Sequence, residues 1–156
     1  MEGLSKTVRE DCRQGRIRGI KITDGCTLTH LLFVDDVLII LNGGIKDITS
    51  FHRSLNTFLK ATGMVLNEAK SIITSTGCSP HEVQYALRKF NFTEVPIEEG
   101  FRYLGYRLKP LGYKIADWTC LIAKVEKWLN IWYHKYLSKA GRLVLIKAVL
   151  EATPVY

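Results

Sequence analysis

The sequence predicts an α+β chain, in which antiparallel hairpins pack with helices and a basic helical segment follows. Three observations predict it. Apolar runs rich in Val, Ile and Leu are punctuated by turn residues in the first half. Helical apolar stripes recur between those runs. The last third changes to long helical periodicity with a cationic excess. With 156 residues, 47% hydrophobic and 24% charged, the composition is that of a globular chain with room for a core.

Leu4, Val8 and Cys12 recur every four residues and predict a helix over Leu4 to Gln14, which Gly15 can stop. Ile17 to Thr23 alternates like a strand, and Asp24-Gly25 signals a hairpin. Leu31 to Leu41 is unbroken apolar sequence except for Asp35-Asp36. It is too short to span a bilayer, and two carboxylates forbid it. It predicts two buried strands joined by a Val34-Asp35-Asp36-Val37 turn, with His30 at the entrance as a packed strand residue. After Asn42-Gly43-Gly44, a helix carries Ile45, Ile48, Phe51, Leu55, Phe58 and Leu59 on one face and ends at Gly63.

Met64 to Asn67 and Ser71 to Ser75 are expected as short strands joined through Glu68-Ala69-Lys70. Ser79-Pro80-His81-Glu82 is a capping box with Pro at the first helical position, opening a helix that buries Val83, Ala86, Leu87 and Phe90. Pro96 and Glu98-Glu99-Gly100 lead to one strand, Phe101 to Leu108. Asp117 is expected to cap the longest helix, which runs to about Tyr136 with Trp118, Leu121, Ile122, Val125, Trp128, Leu129 and Trp132 on its apolar face. At that spacing the tryptophans predict core rather than a base-stacking platform. Ser138 can cap a last helix with Leu143, Ile146 and Leu150 buried, closed off before Pro154.

The net charge of +7 is uneven. From Lys109 to Lys147 eight Lys/Arg stand against only Asp117 and Glu126, which points to a polyanionic partner unless the charges merely solvate a face. Cys12, Cys26, Cys78 and Cys120 are widely separated, with no CxxC pair, and predict free thiols in a reducing compartment. Met1 to Gly15 is polar and charged, which gives no secretory signal. No transmembrane segment, repeat or low-complexity tract is visible. The expected location is therefore intracellular, in nucleus or cytoplasm, with no membrane partner.

Asp35-Asp36 has two readings. Asp is a favoured turn residue, so the pair can be turn chemistry alone. Adjacent carboxylates on a rigid hairpin are also a pair of hard oxygen ligands for Mg2+. A carboxylate in an apolar run must stand at a wet tip or neutralise a cation, because burying it unpaired is costly.

Four landmarks in order bear on that choice. His30-Leu31-Leu32-Phe33-Val34-Asp35-Asp36 is similar to the F-A-D-D box of reverse transcriptases, with Val34 where the family usually has Ala. Gly63-Met64-Val65-Leu66-Asn67-Glu68-Ala69-Lys70-Ser71 matches the family's G-x-x-x-N-x-x-K-S element. Phe101-Arg102-Tyr103-Leu104-Gly105 resembles its Y-L-G strand. Leu137-Ser138-Lys139-Ala140-Gly141-Arg142-Leu143, through Ile146-Lys147 to Pro154-Val155-Tyr156, is similar to its thumb signature. Over essentially its whole length the chain resembles the reverse transcriptase of a non-LTR, LINE-type retrotransposon, most like those of plants.

The resemblance implies template-directed nucleotidyl transfer by two-metal chemistry, with an RNA/DNA template-primer and dNTP as partners and Mg2+ or Mn2+ as cofactor. It implies catalytic and metal-ligating roles for Asp35 and Asp36, and nucleotide or primer contact by Lys70, Tyr103, Leu104 and Gly105. Lys124, Lys127, Lys135, Lys139, Arg142 and Lys147 are the expected nucleic-acid contacts. The family also uses a carboxylate on an earlier strand. The acids before Asp35 are Glu2, Glu10, Asp11 and Asp24, and none ends an apolar strand. The chain therefore reads as a partial palm (1–108) and thumb-like segment (109–156), inactive alone and holding metal weakly. The alternatives are a non-catalytic nucleic-acid-binding module and a relic without function. The oligomeric state is left open.

Overall fold

Five helices and eight short strands make up an α+β chain in the computed structural model, which describes residues 2–132 and 138–147. For Trp128, Leu129, Ile131, Trp132 and Leu145 it describes the backbone only. The expectations for Lys135, Tyr136, Leu150 and the Pro154–Tyr156 tail, and for the side chains of Trp128, Leu129 and Trp132, lie outside the described residues. The chain divides into two units, Met1–Glu99 and Gly100–Tyr156.

In the first unit, α1 (Glu2–Arg13) buries Leu4, Val8 and Asp11. Gly15 then takes a left-handed φ of 68° that turns the chain. Strands β1 (Ile20–Thr23) and β2 (Cys26–Leu28) pair antiparallel around Asp24-Gly25, as expected. Strands β3 (His30–Phe33) and β4 (Asp36–Ile39) form a second hairpin. Helix α2 (Ile45–Thr62) buries Ile48, Phe51 and Leu55, and Gly63 ends it at φ 69° with its N–H on the Leu59 carbonyl. The Ser79–Glu82 capping box is present at the start of α3 (Pro80–Phe90), which buries Ala86 and Phe90.

Leu4, Val8, Ile17, Ile48, Phe51, Leu55, Ala86 and Phe90 form the core, so α1, α2 and α3 share one apolar centre. Phe90 organises its aromatic part, with ring centroids 5.7 Å from Phe51 and 5.3 Å from Phe92. Each fully buried aliphatic side chain in such a centre contributes about 1.5–3 kcal/mol.

Three expectations for this unit are corrected. Met64 to Asn67 is not a strand: Met64 and Val65 are exposed, and Asn67 caps a 3-10 turn over Glu68–Lys70. Of Ser71 to Ser75 only Ile72–Ile73 is a strand (β5), and it pairs in parallel with β6 (Thr93–Glu94). The intervening α3 supplies the crossover that a parallel pair needs. Finally, the Leu31–Leu41 strands are not buried on both faces: helix α1 packs on β3, while Leu31 and Phe33 are exposed.

In the second unit the expected single strand, Phe101 to Leu108, is a hairpin of β7 (Phe101–Tyr103) and β8 (Tyr106–Leu108). Leu104 at φ 51° and Gly105 at φ 85° give the two-residue turn the double positive φ of type I′, whose twist matches antiparallel strands. Helix α4 runs Ile115–Trp132, so Asp117 lies in its first turn rather than before it. Its carboxylate still caps, accepting the Lys114 N–H at 2.7 Å. Trp118 and Ile122, expected in the core, are each 44% exposed. Ser138 caps α5 (Lys139–Leu145) by accepting the Gly141 N–H. Leu143 and Ile146 are exposed rather than buried, because no described element packs extensively on α5.

Candidate functional site

The β3–β4 hairpin pairs His30 with Ile39, Leu31 with Leu38, Leu32 with Val37 and Phe33 with Asp36. Side chains alternate between faces, so His30, Leu32 and Ile39 share one face while Leu31, Phe33 and Asp36 share the other. The first face is anchored. His30 Nε2 is 2.8 Å from Ser5 Oγ on α1, its Nδ1 is 2.8 Å from Thr29 Oγ1, and Ile39 packs on the core. Burial holds the imidazole pKa below its ordinary value, and the positive charge of Arg9 adds to the effect. His30 is a packed strand residue, as the sequence predicts. The second face is open, with Leu31 and Phe33 exposed.

At the end of this hairpin Val34 takes φ 49°, and Asp35 completes the turn. Both carboxylates are exposed, Asp36 as the first residue of β4. The tip is therefore wet, which removes the desolvation penalty that a buried pair would carry. Two adjacent carboxylates suit one hard, largely hydrated divalent ion. Among the described residues no group of three or more His, Cys, Asp or Glu is placed to hold a metal ion. Asp35 and Asp36 are hard oxygen donors of the kind that such cations take.

Two buried acids that the sequence reading did not single out as anchors fix the frame behind the hairpin. Asp11, on the buried face of α1, accepts from Arg16 Nε at 2.8 Å, Arg16 Nη2 at 2.5 Å and Ser54 Oγ on α2. Its carbonyl also takes the N–H groups of Arg16 and Ile17. Asp47 in the first turn of α2 is 2% exposed and pairs with Arg18 at 3.3 Å. The Asn42 N–H returns to the Arg18 carbonyl at 2.9 Å, tying the end of the apolar run to the same arginine. A signal for Asp11 existed: it continues the Leu4, Val8 stripe on the helix's buried side, with Arg16 in reach.

The remaining predicted residues are distributed over both units. Lys70 closes the 3-10 turn: its N–H donates to Asn67 Oδ1 at 3.2 Å, Ser71 Oγ donates to the Asn67 carbonyl, and its side chain is exposed. The Asn-x-x-Lys-Ser spacing thus builds a turn. Tyr103 ends β7, and Leu104 and Gly105 form the turn after it, in the second unit. Lys124 and Lys127 are exposed and one helical turn apart on α4, while Lys139, Arg142 and Lys147 are exposed on or after α5. None of the four cysteines is in a disulfide. Among the described residues no helix is long and apolar enough to cross a membrane. No protein-family model, curated protein or solved structure matches the chain.

Proposed function

We propose that this chain is a piece of an RNA-directed DNA polymerase of the non-LTR retrotransposon type, bearing one part of the metal site and a basic nucleic-acid-binding segment, and that it does not polymerise alone. The observation that carries the reading is the hairpin tip, where two adjacent carboxylates stand in water on strands whose other face is anchored to the core. Divalent metal, when bound, supplies charge stabilisation for nucleotidyl transfer. The chain's own residues hold and orient. Val34 turns the strand so that Asp35 and Asp36 follow one another at the tip, His30 and Ile39 fix the strands, and the exposed lysines of α4 offer charge to phosphates. Polymerisation needs preorganised charge around the reacting phosphate, commonly the largest catalytic contribution, and two carboxylates supply only part of it.

Mn2+ titration followed by electron paramagnetic resonance tests the tip. Saturable binding near about 1 mM is expected, and it should vanish in Asp35→Asn/Asp36→Asn. Binding unchanged in that double variant removes the metal-site reading. Primer extension with dNTPs and Mg2+ or Mn2+ should give no product. Extension that disappears in Asp35→Asn would show that the chain polymerises on its own.

A further inference from the structure

Helix α2 has one side in the core and a cationic row on the other. Ile48, Phe51 and Leu55 face the core. Lys46, Arg53 and Lys60 recur every seven residues, and all three are exposed. A helix drifts by about 20° per heptad, so the three lie within about 40° of one another, on the side opposite the core stripe. At 1.5 Å per residue, neighbouring cations stand about 10.5 Å apart along the axis and the row is about 21 Å long. Thr49, Ser50 and Thr57, all short, occupy the same side and leave the row unobstructed. The acid of α2, Asp47, is 2% exposed and already pairs with Arg18. Among the described residues no acid pairs with Lys46, Arg53 or Lys60. Lys89 of α3 adds positive field at the flank: its Nζ is 5.6 Å from the centroid of the Tyr85 ring, whose hydroxyl meets Thr49 Oγ1 at 2.8 Å.

A straight row of uncompensated cations is complementary to anions at the same interval. A second helix with Asp or Glu at every seventh position presents its carboxylates about 10.5 Å apart. Its row drifts as that of α2 does, so two helices crossing at a shallow left-handed angle keep all three pairs opposed. A nucleic-acid duplex fits the row less well. Its two backbones cross a line along the axis twice in each turn of about 34 Å, so a row of this length meets one or two phosphates. We propose that this face of α2 docks an acidic helix of a partner protein, whose carboxylates seven residues apart oppose Lys46, Arg53 and Lys60. The surface goes beyond the polymerase reading, since Asp35, Asp36, divalent metal and the lysines of α4 take no part in it.

The test uses the full chain in EDTA, so that its outcome is separate from that of metal binding at the hairpin tip. The probe is a labelled, Ala-rich helical peptide with three Glu seven residues apart, followed by fluorescence anisotropy. Its isomer with the three Glu five residues apart has the same charge but sends the carboxylates around the helix. At about 0.01 M salt the screening length is about 30 Å, so the three cations act together. Saturable binding of the heptad peptide, tighter than that of its isomer, is expected. Three exposed ion pairs together account for roughly a 3- to 150-fold change in affinity, so Lys46→Gln/Arg53→Gln/Lys60→Gln should weaken the heptad peptide by that factor. Lys124→Gln/Lys127→Gln should leave it unchanged. Lys46→Glu/Arg53→Glu/Lys60→Glu should instead bind the peptide that carries Lys in place of Glu. The proposal fails if the heptad peptide does not bind at millimolar concentration, if the isomer binds as well, or if the triple Gln variant, shown by circular dichroism to be folded, binds unchanged. A DNA duplex that binds more tightly than the heptad peptide, and is weakened by the triple Gln variant, assigns the row to nucleic acid and also overturns it. Should the charge reversal unfold the chain, the Gln variant and the isomer decide the matter.

Discussion

Substitution of Val34 by Asn tests whether the hairpin tip is held in an unfavourable backbone conformation for the sake of its carboxylates. Val34 has φ 49° and is 72% exposed. A left-handed conformation costs an L-residue about 1–2 kcal/mol, and a β-branched side chain stands at the unfavourable end. Asn tolerates this region several-fold better and recovers on the order of 1 kcal/mol. Burial opposes the change only weakly. A fully buried Val is worth about 1.5–3 kcal/mol, and little of this one is covered, so roughly 0.5 kcal/mol is lost. The net expectation for Val34→Asn is a gain of about 0.5 kcal/mol. Val34→Gly relieves the strain completely but loosens the unfolded chain by about 0.5–1 kcal/mol, so it should gain less. Urea unfolding followed by far-ultraviolet circular dichroism is the assay, since every tryptophan lies in the second unit and would not report on this one. With a slope near 2 kcal/mol per molar, the Asn variant's midpoint should rise by about 0.25 M. A lower midpoint in both variants would refute the strain argument and make the Val34 side chain a packing group.

Three further outcomes follow from the geometry. Asp11→Ala should cost about 2–3 kcal/mol in the same urea assay, below the value for a fully buried pair because Arg16 is 36% exposed, and a loss under about 0.5 kcal/mol would show the network to be dispensable. For His30 the folded-state pKa is lowered, so the native state binds fewer protons than the unfolded one; stability should be fully present above pH about 6.5 and decline as the pH falls toward the folded-state value, and His30→Gln should flatten that slope. Template-primer binding through about four phosphates should show a log–log salt slope near −3 on single strands and near −4 on duplex, which becomes shallower when Lys124, Lys127 and Lys135 are replaced by Ala.

What the sequence made legible followed from local chemistry. Gly63 ends a helix, Ser79 and Glu82 close a capping box, and Asp24-Gly25 turns a hairpin, because each depends only on residues a few positions apart. The errors fall where a local pattern has two solutions. Tyr103-Leu104-Gly105 reads as strand interior until Tyr103 is seen to pair with Tyr106, which forces Leu104 as well as Gly105 to positive φ. Met64 to Ser75 reads as two short strands joined through Glu68-Ala69-Lys70, yet Asn67 competes with extension by offering its side chain to the Lys70 N–H.

At the candidate site the same reasoning located the acids but misjudged their surroundings. An apolar run predicts burial, but burial needs a second surface, and no pattern within Leu31–Leu41 says how many of its faces another element covers. One face here rests on Ser5 and the core while Leu31 and Phe33 stand open beside Asp36. Trp118 shows the converse error, since helical spacing placed it in the core while Tyr113 and Arg102 place it in the wall of a cleft. Periodicity establishes that residues share a face; only the neighbour opposite decides whether that face is core or binding surface.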